Sequence, residues 1–320
     1  MREIVRWLAL VAVVVGSPAF AQSYPNHPVK IIVPFAAGSA TDIMARIIAE
    51  ELRASLGQPF VVENKPGASA QIGAEAVAQS PPDGYTLFVT TNTSHSANPF
   101  LFKKINYDPV KDFAPVANIM RIPVIIVVDP KLPVKTLADL VTYAKANPGK
   151  VSFGYGNSIG QVVGASFAKR TGIDIITVPY KSSPQALTDV MGGQVTYSVS
   201  DMAAGQSAVQ GGKVRALGVS SGKRSSLMPD LPAIAETPGL EGFEVIAWVA
   251  MFAPAKTPKD VIDKLNAVVR KALAKPEVKE KIASFAAEAE PGTPEELGEF
   301  VKDQLASWGK SIKDAGIQPE

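Results

Sequence analysis

The sequence predicts an α/β fold in two lobes, each a mostly parallel sheet flanked by helices, with a cleft between them. Three observations carry this prediction. Short β-branched runs alternate with helix-like stretches, the links between them are short, and the alternation occurs twice along the chain. Two such lobes joined by two crossings would place a ligand-sized cleft between them.

The first series begins with "VKIIVPF" (29–35), a β-branched run typical of a strand. The stretch "TDIMARIIAEEL" (41–52) follows, and its apolar residues recur at helical spacing. The other elements predicted for this series are a strand at 59–64, a helix near 72–79, a turn at 81–84 and a strand at 85–91. This order indicates parallel strands with helices packed on them.

The second series begins near Pro123 with a strand at 124–128. A helix at 135–147 is predicted to start at Thr136 as N-cap, with Asp139 three residues later. Further elements are strands at 151–153, 174–180, 195–200 and 214–221, and helices at 158–170 and 184–191. We therefore assign 22–122 plus 247–320 to the first lobe and 123–246 to the second.

The C-terminal part reads as helical. Thr257-Pro258 and Thr293-Pro294 each place an N-cap threonine before a proline at the first helical position. Both pairs are followed by acidic residues, which the positive end of a helix favours. Two helices are therefore predicted to begin at these threonines.

Residues 1–21 have the order of a secretory signal peptide. Arg2 and Arg6 precede an apolar stretch too short to span a bilayer, and Ala19-Phe20-Ala21 forms an A-x-A cleavage site. The alternative is a buried N-terminal strand or helix. The pattern predicts export to the periplasm, cleavage after Ala21 and a soluble mature chain.

Composition excludes several classes of function. The chain has no cysteine and two histidines, so we expect no disulfide, no lipid-modified cysteine and no Cys/His zinc site. Its net charge is +2 without a long basic block, which argues against nucleic-acid binding. We predict no cofactor, no metal and a monomer.

One short motif is typical of an enzyme. The G-x-S-x-G elbow of serine hydrolases is matched by Gly156-Asn157-Ser158-Ile159-Gly160. That mechanism needs a base, and both histidines precede the serine. A His95–Ser158 pair or a Ser158–Lys181 dyad stays possible on sequence alone. The other interpretations are a plain tight turn, or a helix start whose N–H groups bind an anion.

A similar strand–turn–helix pattern occurs in the other lobe, in "VPFAAGSATD" (33–42). Two anion-receptive helix starts, one in each lobe, would suit a small carboxylate held between the lobes. Neither turn carries the G-K-[ST] of a nucleotide-binding P-loop. A third polar turn at 90–99 could line the cleft or cap the next helix. Asp42 and Asp201 could likewise contact ligand or serve only as structural residues.

Several longer motifs resemble one family in sequence and order. They include "YPNHPVKIIVPFAAGSATDIMAR", "VVENKPGASAQIGAEAVAQSPPDGYTLF", "VPYKSSPQALTDVMGGQV" and "GKVRALGVSSGKRS". Nearly the whole chain after the leader resembles the extracytoplasmic receptors of tripartite tricarboxylate transporters, also called Bug receptors. The resemblance implies a type II-like periplasmic binding protein that closes on a small carboxylate and delivers it to a membrane transporter. A receptor that feeds a sensor protein is the alternative.

The resemblance also implies ligand-binding positions. In the first lobe they are Phe35, Ala37, Gly38, Ser39, Thr41, Asp42, Thr91, Asn92, Thr93 and His95. In the second lobe they are Tyr155, Gly156, Asn157, Ser158, Tyr180, Lys181, Ser182 and Asp201. The first turn is poorer in proline and glycine than the family pattern, and the second is shorter and carries Tyr155. Tyr155 could exclude bulky ligands or stack on an aromatic one.

Overall fold

The computed structural model describes residues 24–180 and 183–319, and of Ser158 the backbone only. The first sheet has six strands in the order β11-β4-β10-β3-β1-β2, and the second has five in the order β7-β6-β8-β5-β9. The strands are β1 Val29–Val33, β2 Phe60–Asn64, β3 Thr86–Thr91, β4 Phe113–Ile122, β5 Val124–Val128, β6 Ser152–Tyr155, β7 Ile176–Pro179, β8 Tyr197–Asp201, β9 Arg215–Val219, β10 Ala247–Pro254 and β11 Glu288–Ala289. The helices are α1 Ala40–Leu56, α2 Gln71–Ala78, α3 Asn98–Leu101, α4 Leu137–Ala146, α5 Ser158–Thr171, α6 Ser183–Met191, α7 Met202–Gln210, α8 Lys259–Ala274, α9 Pro276–Ala283 and α10 Pro294–Asp314.

The two-lobed α/β architecture is confirmed, but both sheets are mixed rather than mostly parallel. In the first sheet β1 pairs in parallel with β2 and β3, whereas β10 and β11 pair antiparallel with their neighbours. In the second sheet β6 pairs in parallel with β7 and β8, whereas β5 is antiparallel to β8 and β9. β5 and β10, the first strand after each passage between the sheets, are each antiparallel to both of their neighbours.

Two segments connect the lobes. β4 ends at Ile122 and β5 begins at Val124, so only Pro123 separates the two sheets. The second segment runs from Val245 into β10, and the Val245 N–H donates to the Ser220 carbonyl at 3.1 Å. We call these two stretches, 122–124 and 245–247, the crossing segments.

Each sheet has an apolar core on both faces. Adjacent residues of β1 show this alternation, since Ile31 packs in one cluster and Ile32 in another. The second sheet repeats the pattern with Ile125 and Ile126. The last helix contacts both lobes, because Leu297 packs in a first-lobe core and Trp308 in a second-lobe core.

Two of the predicted helix starts are confirmed in detail. Thr136 caps α4 with Asp139, and Thr293 caps α10 with Glu296, each pair forming a reciprocal capping box. The prediction for Thr257 is wrong, since α8 has Pro258 as N-cap. The Thr257 hydroxyl instead donates to the Pro254 carbonyl at 2.7 Å, which commits it to the preceding turn.

The predicted signal peptide, residues 1–21, lies outside the described residues. Within the described part of the chain, none of the helices is both long and apolar enough to cross a membrane.

Candidate functional site

The carboxyl ends of four strands lie at the crossing segments or one strand away from them. Asp201, at the end of β8, pairs with Val124 directly after the first crossing. Thr91, at the end of β3, pairs with Val249 directly after the second. β1 and β6 lie beside β3 and β8 and run parallel to them. Ligands of open α/β sheets bind outside the carboxyl ends of such strands, which places the candidate site here.

The first-lobe turn, 35–42, leads from β1 into α1. Ser39 is the N-cap of α1, and its side chain accepts a hydrogen bond from the Asp42 N–H at 3.2 Å. Gly38 has a φ of +84°, a left-handed conformation that favours glycine. The N–H groups of Ala40 and Thr41 open the helix, where no intrahelical acceptor exists. These two groups can serve an anion.

Asp42 holds this turn together from inside. Asp42 is 2% exposed. Its carboxylate accepts hydrogen bonds from the Gly38 N–H at 2.9 Å, from Arg46 Nε at 3.1 Å and from Asn64 Nδ2 at 2.9 Å. Burial acts to raise the pKa of Asp42, but the hydrogen bonds from Arg46, Gly38 and Asn64 outweigh it and keep the pKa below its usual value. The carboxylate is therefore ionised and engaged with the protein.

Sequence reasoning missed Asn64. This residue ends β2 opposite Val33, and its side chain donates to the Phe35 carbonyl at 2.9 Å as well as to Asp42. The amide of Asn64 therefore forms hydrogen bonds with both ends of the 35–42 turn. The available signal was a polar residue at the end of a strand predicted to lie beside the first.

The second-lobe turn, 155–158, leads from β6 into α5. Asn157 is the N-cap, and its Oδ1 accepts from the Gly160 N–H at 2.8 Å. Its Nδ2 donates to Ser183 Oγ at 2.8 Å and to Asp201 Oδ1 at 3.2 Å. One exposed asparagine therefore joins the starts of α5 and α6 to the end of β8.

Two tyrosines lie along this second turn. The Tyr155 ring stacks on Phe153 with centroids 5.7 Å apart. The Tyr180 hydroxyl donates to Asp189 at 2.7 Å, and burial followed by the Asp189 carboxylate raises the pKa of Tyr180 to about 12. A Cβ at Gly154 would lie 3.1 Å from the Tyr180 ring, so glycine permits this close approach. Tyr180 is fixed at its hydroxyl end.

The third predicted turn follows β3 and contains a π-helical stretch, Thr93–Ala97. Thr91 and Thr93 are half-buried, and the Thr91 hydroxyl accepts from the Thr93 N–H at 3.2 Å. Asn92 is 7% exposed. Thr91 pairs with Val249 of β10, so this turn begins beside the crossing strand.

His95 does not fit its predicted place at the cleft. His95 is 0% exposed, and its ring stacks on Phe252 with centroids 4.1 Å apart. Phe113 and Trp248 lie nearby. Desolvation by burial lowers the pKa of His95 to about 3, so the imidazole is neutral. His95 is a core residue, and its physical role is packing within the first lobe.

The geometry also bears on the hydrolase alternative. The two histidine rings contact first-lobe residues: His95 Nδ1 lies 3.0 Å from Ser94 Oγ, and His27 stacks on Tyr85 at 3.6 Å. Ser158 begins a helix of the second lobe. The Ser158 side chain, Lys181 and Ser182 lie outside what the structure describes. Among the described residues, no group of three His, Asp or Glu could hold a metal ion.

Comparison with known proteins gives the family. A family model described as "Tripartite tricarboxylate transporter family receptor" matches residues 44–317. The chain is similar to Protein BugT of Bordetella pertussis (strain Tohama I), at 35% identity over 308 residues, covering 95% of this chain and 94% of BugT. It is similar to the solved structure of R. palustris Rpa4515 with adipate, at 35% identity and a TM-score of 0.72, covering 93% of this chain and 100% of that one. It is also similar to MatC (Rpa3494) from Rhodopseudomonas palustris with bound malate, at 32% identity and a TM-score of 0.68, covering 90% of this chain and 100% of that one. The chain therefore belongs to the family of tripartite tricarboxylate transporter receptors.

Proposed function

We propose that this protein is a periplasmic receptor that captures a small carboxylate between its lobes and delivers it to a tripartite tricarboxylate-type transporter. The observation that carries the proposal is the pair of helix starts, one in each lobe, that follow β1 and β6. These two strands lie beside β3 and β8, whose ends adjoin the crossing segments. The similar proteins with adipate and with malate support a carboxylate as ligand.

The proposed contacts differ between the lobes. In the first lobe the N–H groups of Ala40 and Thr41 would receive one carboxylate, on a turn formed by Phe35, Ala37, Gly38 and Ser39. In the second lobe Gly156, Asn157 and the start of α5 would receive the other end of the ligand. Tyr155, Tyr180 and Asp201, with Thr91, Asn92, Thr93, Lys181 and Ser182, would set selectivity. We leave His95 and Asp42 out of the direct contacts, because one is in the core and the other is engaged with the protein.

The energy available from such a site is sufficient. Hydrogen bonds to a charged group contribute about 1.5–3 kcal/mol each, and the helix dipole adds roughly 0.3–1 kcal/mol. After the cost of association, three or four such bonds can leave about −8 kcal/mol, which is micromolar affinity. Ligand that bridges the lobes would favour a closed state, which the membrane partner would recognise.

The proposal includes export and a non-enzymatic role. The leader pattern at 1–21 supports cleavage after Ala21 and release into the periplasm, where the receptor would act as a monomer. We propose no catalysis at Ser158, since His95 is buried in the first-lobe core and His27 stacks on Tyr85.

A thermal-shift screen tests the function directly. Mature protein would be heated with mono-, di- and tricarboxylates and aromatic carboxylates, including adipate and malate. We expect at least one carboxylate to raise Tm, and the matching amide, which lacks the charge, to have no effect. No shift across the whole panel would contradict the proposal. Ester hydrolysis that disappears in Ser158→Ala would instead support the hydrolase alternative.

A further inference from the structure

One side chain of the first lobe is bound by the second lobe outside the candidate site. Glu288, in β11, accepts hydrogen bonds through Oε1 from Ser225 Oγ at 3.2 Å, from the Ser226 N–H at 2.5 Å and from Ser226 Oγ at 2.5 Å. Ser225 and Ser226 belong to the loop after β9, in the second sheet. A carboxylate that accepts three donors from one loop forms a strong contact between the lobes.

The strand orders place this contact on the far side of the crossing strands. In the first sheet β11 lies on one side of β4 and β10, while β3, β1 and β2 lie on the other. In the second sheet β9 lies on one side of β5, while β8, β6 and β7 lie on the other. The candidate site lies at the ends of β1, β3, β6 and β8. The Glu288 contact therefore joins the lobes opposite the cleft, with the crossing strands between.

The surrounding contacts fix both halves of this junction. Ser220, where the loop begins, donates from its N–H to the Val124 carbonyl at 2.9 Å and accepts from the Val245 N–H at 3.1 Å, so it is attached to both crossing segments. From the other lobe Ala286 packs in a core of the second lobe that includes Leu231. Ala286 has a φ of +49°, a conformation that costs energy for a residue with a side chain.

We propose that Glu288 with Ser225 and Ser226 forms a latch that holds the lobes apart at the cleft. Rotation about the crossing segments that brings the cleft edges together moves the opposite edges away from each other. Closure must then break the three hydrogen bonds to Glu288. The latch rests on the proposed function, because it opposes the closure that captures ligand. The free energy needed to break it is subtracted from the binding free energy of the ligand, so the latch lowers the apparent affinity.

The test measures closure without ligand. The chain has no cysteine, so Val61→Cys and Ile176→Cys give two unique spin-label sites. Both residues are exposed and lie on β2 and β7, the outer strands on the cleft side of the two sheets. In this labelled background, Glu288→Ala should raise the ratio of short to long label distances by about three- to tenfold. Glu280→Ala, an exposed glutamate of α9 in the same lobe, is the matched control and should leave the distribution unchanged.

Two further measurements separate the outcomes. Ser226→Ala removes only one hydroxyl donor, so it should shift the distances in the same direction by less, and it keeps the test valid if Glu288→Ala fails to fold. Identical distributions for wild type and Ser226→Ala, or a shift to longer distances, would overturn the latch. Adipate added to Glu288→Ala should bind about three- to tenfold more tightly than to wild type. If adipate and the rest of the carboxylate panel fail to bind while the ligand-free distances still shift, the proposed function fails and the latch stands.

Discussion

The two candidate turns share a geometry but differ in what holds them. The first-lobe turn is organised by an ionised carboxylate, since Asp42 is 2% exposed and binds Gly38, Arg46 and Asn64. The second-lobe turn is organised by the neutral amide of Asn157, which is exposed and reaches Asp201 at 3.2 Å. The same strand–turn–helix element is therefore held by a buried charge in one lobe and by an exposed neutral amide in the other.

The difference indicates that the two turns have different roles in ligand binding. A turn fixed by a buried charge presents its N–H donors in one arrangement, and such preorganised donors lose little entropy when ligand binds. A turn held by an exposed amide and flanked by Tyr155 and Tyr180 can adapt to the rest of the ligand. We therefore expect changes in the first lobe to abolish binding and changes in the second to alter selectivity.

The largest effect should follow Asp42→Asn. The substitution removes the buried charge that Arg46 and the Gly38 N–H bind, and the NH2 group that replaces one carboxylate oxygen cannot accept a hydrogen bond. We expect a loss of about 2–3 kcal/mol in the free energy of unfolding and the loss of ligand binding. Urea unfolding at neutral pH and calorimetry with the best ligand of the carboxylate panel measure the two quantities.

Asp263→Asn is the matched control for Asp42. Asp263 forms an exposed ion pair with Lys259 on α8, at 2.7 Å, and exposed pairs contribute little. Equal stability and equal binding in the two variants would show that Asp42 does not organise the first turn. The proposed difference between the two lobes would then be wrong.

A second effect depends on pH and concerns His95 in the core of the first lobe. The unfolded chain protonates His95 near its ordinary pKa of about 6.5, whereas burial lowers the folded pKa to about 3. The contribution to stability is therefore complete above pH 6.5 and is lost as pH falls toward 3. The slope is about 1.4 kcal/mol per pH unit, or roughly 2 kcal/mol by pH 5.

His95→Leu tests this pH dependence. Leucine keeps an apolar side chain among Phe113, Trp248 and Phe252 but cannot bind a proton. Unfolding in urea at pH 8 and pH 5 should show a smaller loss of stability on acidification in the variant than in wild type. An unchanged difference between the two pH values would mean that other groups cause the loss.

A third effect should separate folding from binding in the second lobe. Asn157→Asp keeps an N-cap acceptor for the Gly160 N–H but loses the donor to Ser183 and Asp201, so the free energy of unfolding should fall by about 1–2 kcal/mol. It also places a second carboxylate beside Asp201 and the ligand, which should weaken carboxylate binding by about tenfold. Calorimetry against Asn157→Ser, which keeps a cap without the charge, checks this. Equal affinities in the two variants would place Asn157 away from the ligand.

Much of the fold was predictable from local pattern. Helical spacing predicted 41–52 inside α1, and the threonine–acid pairs predicted the starts of α4 and α10. Strand direction was not predictable, because it depends on how the crossings return the chain to each sheet. The N-cap of α8 was predicted one residue too early, since Thr257 bonds to a preceding carbonyl that no sequence pattern marks.

The candidate site was predictable only where it follows from chain order. The two turns come from strand–helix junctions, which periodicity reveals. The roles of Asn64 and His95 depend on what packs beside them, and this is a property of tertiary structure. Asn64 lies 22 residues from Asp42 in sequence, so the only signal for their contact was the position of Asn64 at the end of a neighbouring strand. The ligand positions themselves stay predictions.

The smallest effect should come from Tyr180→Phe. The substitution removes the hydrogen bond from the Tyr180 hydroxyl to Asp189, which should cost about 1 kcal/mol of stability. Because the pKa of Tyr180 is raised to about 12, the hydroxyl keeps its proton, and the cost should be constant from pH 6 to about pH 10. Tyr155→Phe, measured in the same urea titrations, is the matched control, since the Tyr155 ring is held by stacking on Phe153. If Tyr180→Phe changes ligand preference across the carboxylate panel while Tyr155→Phe does not, the second lobe selects through a ring fixed at its hydroxyl. The opposite result would assign selectivity to Tyr155 and would show that the adaptable part of the second lobe is the turn itself.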